Sequence, residues 1–76
     1  MDMLRQLNRI GIFDNDFGRA YLTEKINFAF HNFQHVLQGN GRTLVEFVLM
    51  GPNGGVKMQT VWEAERLITV FVIGGG

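Results

Sequence analysis

Two hydrophobic periods divide the chain. Over the first half, apolar residues recur every three or four positions; from Arg42 onward they fall into short β-branched and aromatic runs. Met3 to Ile10 reads as a short helix, with Leu4, Leu7 and Ile10 on one side and Gly11 ending it. Asp14-Asn15-Asp16 reads as a loop whose last residue caps a second helix, expected over about residues 17–38. Thr23 and Glu24 leave room for a slightly later start. Leu22, Ile26, Ala29, Phe30, Phe33 and Leu37 carry the spacing of one buried helical face. Gly39-Asn40-Gly41 breaks the helix, with Gly39 suited to a left-handed cap.

Three strand-like runs follow, over about residues 43–50, 56–63 and 67–73. Val45, Phe47 and Leu49 share a face of the first; Met58, Thr60 and Trp62 share a face of the second, opposite Lys57, Gln59, Val61 and Glu63. The third is apolar on both faces except at Thr69, which predicts a central or well-covered strand. The links at Gly51 to Gly55 and Ala64 to Arg66 are hairpin-sized, whereas a parallel crossover needs about a dozen residues. The expectation is an α+β fold, with N-terminal helices at about 3–10 and 17–38 packed on an antiparallel meander of at least three strands. The terminal Gly74-Gly75-Gly76 reads as a frayed tail.

The 76 residues make one small domain, which buries only about 60% of its unfolded surface. With 46% hydrophobic residues and seven Phe, a core forms without staples, and the absence of cysteine removes disulfides and thiolate metal sites. Seven basic and seven acidic residues cancel, which argues against a protein that holds nucleic acid mainly by neutralising phosphates. Brief contact with RNA at one small patch is compatible with neutrality. No apolar run reaches the ~18 residues of a membrane span. Met1-Asp2-Met3-Leu4-Arg5 lacks the layout of a signal peptide, so the chain reads as cytosolic or as a fragment delivered by other machinery.

Several groupings bear on chemistry. His31 and His35 stand one helical turn apart, a spacing open to a metal or an acid–base pair. The intervening Glu of a zinc hydrolase helix is missing and no third ligand is evident, so a solvated polar face is the simpler reading and no metal or cofactor is expected. Gly51-Pro52-Asn53-Gly54-Gly55 precedes a β-branched run rather than a helix, so it is a turn, with Gly54 or Gly55 at positive φ, and not a phosphate cradle. Arg42, Lys57, Thr60 and Thr69 lie near strand ends that a meander brings together, although Lys57 and Thr60 point to opposite faces of a regular strand. Trp62 reads as a core anchor.

From Gly11 onward the layout resembles the C-terminal toxin domains of bacterial polymorphic toxin systems, including the tips of contact-dependent growth inhibition proteins. The resemblance is carried by Ile12-Phe13-Asp14-Asn15, by Gly18-Arg19-Ala20-Tyr21-Leu22-Thr23-Glu24, and by Leu49-Met50-Gly51-Pro52-Asn53-Gly54-Gly55-Val56-Lys57. Trp62 and Arg66-Leu67-Ile68-Thr69-Val70 complete it. Many such domains belong to the barnase, EndoU, colicin and RelE-like group of ribonucleases, which place one or two helices before a curved antiparallel sheet. The resemblance implies metal-independent cleavage of RNA, often tRNA, in the cytoplasm of a competing bacterium. It further implies delivery as part of a larger toxin and neutralisation by an immunity protein that covers the Lys57 side or a sheet edge. In that frame Lys57 is the phosphate or transition-state cation, Arg42 shares that role, and Thr60 or Thr69 orients the phosphate or the 2′-hydroxyl. His31 or His35 is the acid–base candidate by chemistry alone. Similar domains carry a histidine after Thr-Glu, where this chain has Lys25.

The competing reading is a protein-binding module that acts without catalysis and oligomerises through its sheet. Three largely apolar strands and seven Phe suit it.

Overall fold

The computed structural model describes residues 3–75. Two helices, α1 (Met3–Arg9) and α2 (Asp16–Asn32), precede four strands: β1 (Val36–Leu37), β2 (Thr43–Gly51), β3 (Gly54–Glu63) and β4 (Arg66–Gly75). The sheet is an antiparallel meander in chain order, β1-β2-β3-β4. This is the expected α+β arrangement, with N-terminal helices on a meander. Met1 and Asp2 of the N-terminal segment, and Gly76 of the glycine tail, lie outside the described residues. Gly74 and Gly75 belong to β4 rather than to a frayed end.

Strand alternation sorts the sheet into two unlike faces. Val45, Phe47 and Leu49 of β2, Val56, Met58, Thr60 and Trp62 of β3, and Val72 of β4 are buried. They meet Leu7, Ile10, Ile12, Ile26 and Ala29 from the helical half, forming one core. The intervening residues point away from the helices, and no element among the described residues covers them.

Two tight turns set the register. Gly51 pairs with Gly54 across Pro52-Asn53, and Glu63 pairs with Arg66 across Ala64-Glu65. Gly54 takes φ +136°, the expected use of a glycine at this hairpin. The hairpin tip is pinned to the helical layer, because Asn53 N–H donates to Ile10 O at 2.9 Å. Gly51 passes so close to that residue that a Cβ there would stand 2.3 Å from Ile10 O.

The second helix ends at Asn32, six residues short of the expected Gln38. Its final carbonyls explain the stop. Asn32 Nδ2 donates to Phe28 O at 2.8 Å, Phe33 N–H donates to Ala29 O, and His35 Nε2 reaches Phe30 O at 2.6 Å. Extended backbone at Phe33 then carries the chain into β1, which pairs Val36 with Leu44 and Leu37 with Thr43. Leu37 therefore leaves the helical stripe and stands exposed. Asn15 rather than Asp16 is the N-cap, its side chain accepting from Gly18 N–H at 2.8 Å. Left-handed φ falls at Gly41 (+83°) and not at Gly39. Beside the cap, the Asp14 hydrogen bond and charge hold the Arg19 guanidinium above its ordinary pKa.

The third expected strand, β4, is not central. It lies at the sheet edge, with Leu67, Phe71 and Ile73 exposed. Its two-sided apolar composition reflects one face on the core and one face left open.

Three consequences are measurable by thermal denaturation. Gly51→Ala forces the hairpin off Ile10 and is expected to cost about 2 kcal/mol or more, as overpacking does. Gly39→Ala, with nothing within 4 Å of its added Cβ, is expected to be nearly neutral. Ala64 holds φ +54°, so Ala64→Gly is expected to raise stability by about 1 kcal/mol through relief of left-handed strain.

Candidate active site

On the uncovered face, the β2–β3–β4 register places side chains in cross-strand rows. Glu46 stands beside Gln59, and Gln59 beside Phe71; the next row holds Val48, Lys57 and Gly74. A further row holds Leu44, Val61 and Thr69, and the strand ends bring Arg42, Glu63 and Arg66 together.

Glu46 is the centre of the first two rows. Lys57 Nζ lies 3.6 Å from its Oε2, and Gln59 Nε2 donates to its Oε1 at 3.1 Å. The amide thus holds one oxygen and the ammonium faces the other, which orients the carboxylate outward from a rigid two-strand platform. Glu46 and Lys57 remain open to solvent. An exposed pair of this kind contributes at most about 1 kcal/mol to folding. Phe71 flanks Gln59, with 47% of its surface exposed and its ring available for stacking.

The sequence-derived candidates divide between the two sides of the sheet. Lys57, Thr69 and Arg42 lie on the open side. Thr69 pairs with Val61, four residues along β3 from Lys57, which is roughly 14 Å. Arg42 sits beyond the Thr43–Trp62 pair, and its Nε lies 3.6 Å from Glu63, so it stands about 20 Å from Lys57. These three share a surface but form no single pocket.

Thr60 is buried on the opposite face. Its hydroxyl donates to Val45 O at 2.8 Å and accepts from Trp62 Nε1 at 2.9 Å. It cannot touch a substrate; it is the polar partner that lets the Trp62 indole enter the core.

The histidines lie on the helical side too. His35 is outside the helix, so the expected one-turn relation with His31 is absent. Both rings instead border Phe30, at centroid distances of 5.3 Å for His31 and 4.7 Å for His35, and Phe30 lies 4.2 Å from Trp62. His35 Nε2 donates to Phe30 O, which makes it a helix-ending residue. Among the described residues, no three His, Asp or Glu side chains are grouped to hold a metal ion.

A separate hollow of about 370 Å³ opens between the start of α2 and the β2–β3 hairpin, lined by Phe13, Phe17, Tyr21, Met50 and Pro52. Two of its polar groups are engaged within the fold, since Tyr21 Oη donates to Met50 O and the Asn15 Oδ1 caps the helix. None of the sequence-derived candidates lines it.

Glu46, Gln59 and Phe71 escaped the sequence reading. The alternation of β2 puts Glu46 on the face opposite Val45 and Phe47, and the two-residue turn at Pro52-Asn53 sets it opposite Gln59. Once the turn length is known, these positions follow.

Thr60→Val tests the structural assignment. It strands the Trp62 N–H and the Val45 carbonyl, with an expected cost of about 1–3 kcal/mol in chemical denaturation. In comparisons with known proteins, the chain matches no family model, no curated protein and no solved structure.

Proposed function

We propose that this chain is a metal-independent ribonuclease toxin domain, active in the cytoplasm of a competing bacterium and restrained by an immunity protein. The observation that carries the reading is the Lys57–Glu46–Gln59 constellation in the middle of an uncovered sheet face, beside an exposed aromatic ring. The order of helices before an antiparallel meander also fits the ribonuclease group that the sequence resembles.

The chemistry needs few groups. Glu46 takes the proton of a ribose 2′-hydroxyl, whose oxygen attacks the adjacent phosphorus. Lys57 stabilises the negative charge that builds on the phosphorane and delivers a proton to the departing 5′-oxygen. Gln59 keeps Glu46 oriented. Phe71 supplies a face on which a neighbouring base stacks, and Thr69 and Arg42 extend the same surface toward flanking nucleotides. A cyclic 2′,3′-phosphate and a free 5′-hydroxyl result, with no outside reactant. Zero net charge suits an enzyme that releases its product rather than one that holds nucleic acid tightly.

The exposed apolar side chains of the same face, Val48, Met50 and Phe71, favour the second reading, a binding module that acts without catalysis.

Incubation with total cellular RNA in EDTA separates the two. Discrete fragments are expected from the native chain. Lys57→Ala and Glu46→Gln are each expected to slow cleavage by about 10²–10³-fold, the usual effect of losing one charge-stabilising or proton-transfer group. Both side chains are exposed, so both variants should keep the native circular dichroism spectrum. Intact RNA with a folded native chain overturns the ribonuclease reading in favour of the binding module.

A further inference from the structure

The last strand is left without a neighbour. β4 spans Arg66–Gly75 and ends the sheet order, with β3 on one side and, among the described residues, no strand on the other. In an antiparallel ladder, backbone groups point alternately to each side, so a row of N–H and C=O groups along β4 faces outward. Protein edges of this length are ordinarily guarded by lysine, proline, inward charges or bulges. From Leu67 to Gly75 the chain has no lysine, proline or charge. Its two bulges, at the extra residues Ile68 and Ile73, guard only the ends of the strand, and between them Thr69 to Val72 keep regular register.

The opposite edge is treated differently. β1 covers Thr43 and Leu44, Tyr21 Oη occupies the Met50 carbonyl, and the Phe33 ring lies 6.5 Å from that of Phe47. The β2 edge is thus partly occupied, whereas β4 keeps its edge along its whole length.

We propose that β4 pairs antiparallel with β4 of a second copy, across a two-fold axis centred near Val70 and Phe71, to form one continuous eight-stranded sheet. Charge favours the same occupant. The chain is net neutral, and the antiparallel arrangement sets the Arg66 residues of the two copies at opposite ends, each near the glycines of the other strand. No like charges meet. The interface is isologous, so it uses up the open edge of both copies and closes at a dimer. A two-fold axis that relates antiparallel strands of one sheet stands perpendicular to it. The helices of both copies then lie on one side, and the two open faces join into a single surface. This pairing does not depend on whether that surface cleaves RNA.

Sedimentation equilibrium over a concentration series, with amide hydrogen exchange at the two ends of the series, tests the pairing. The native chain is expected to rise toward twice its 8.6 kDa mass, while amides within 69–72 exchange more slowly as dimer forms. Phe71→Lys, which places a charge in the regular stretch, is expected to return the chain to monomer. Val48→Lys lies on the open face two strands from the edge and is expected to leave the dimer intact. A monomer at every concentration overturns the proposal, as does a dimer whose β4 amides exchange at the monomer's rate. Loss of the dimer in Val48→Lys also overturns it in favour of face-to-face stacking, and a mass beyond dimer overturns it in favour of an open-ended contact.

Discussion

The hydrogen bond from Asn53 N–H to Ile10 O, with Gly51 pressed against the same carbonyl, fixes the relation of the two halves of this protein. The end of α1 and the tip of the β2–β3 hairpin are far apart in sequence and meet backbone to backbone. That contact requires a residue without a Cβ at Gly51. It seats the helical layer on the face that carries Val45, Val56 and Met58, all fully buried. Two helices of seven and seventeen residues suffice to cover one face of a four-stranded sheet. Among the described residues nothing covers the other face.

Chemistry and association follow from that division. Groups that satisfy one another inside the core, such as the Thr60 hydroxyl between Trp62 and Val45, are removed from reactivity. The charged groups spaced along the open face are held by the same strands, but without burial. Glu46 is oriented by an amide and an ammonium and still reaches solvent, the geometry on which the proposed role as general base rests. The exposed aromatic and aliphatic residues around it suit nucleobases or another protein surface equally, which is why cleavage of RNA rather than shape decides between the two readings.

The short second helix shows how side chains override a periodic pattern. Apolar spacing from Leu22 to Leu37 is continuous with a helix to Gln38. Asn32 and His35 nevertheless take the Phe28 and Phe30 carbonyls, and the chain exits in extended form. The cost of a shorter helix is offset by β1, whose pairing with Thr43 and Leu44 covers part of the β2 edge. This also separates His31 from His35 in secondary structure and turns one of them into a cap.

The helix-then-meander order, the buried alternation of β2 and β3, the hairpin links and the opposed directions of Lys57 and Thr60 are all local properties, and the sequence by itself determined them. Period and turn chemistry act over a few residues, so they can be read along the chain. The tertiary structure alone decided which strand lies at the edge, where α2 stops and which polar residues share a surface. β4 looks central because both its faces are apolar, yet only its place in the sheet leaves Phe71 and Ile73 exposed. Glu46, Gln59 and Lys57 are joined by cross-strand register, a relation between residues up to thirteen positions apart that alternation alone does not contain and that the two-residue turn at Pro52-Asn53 had to fix. Long-range pairing sets burial and proximity, and those two quantities separate a reactive side chain from a structural one.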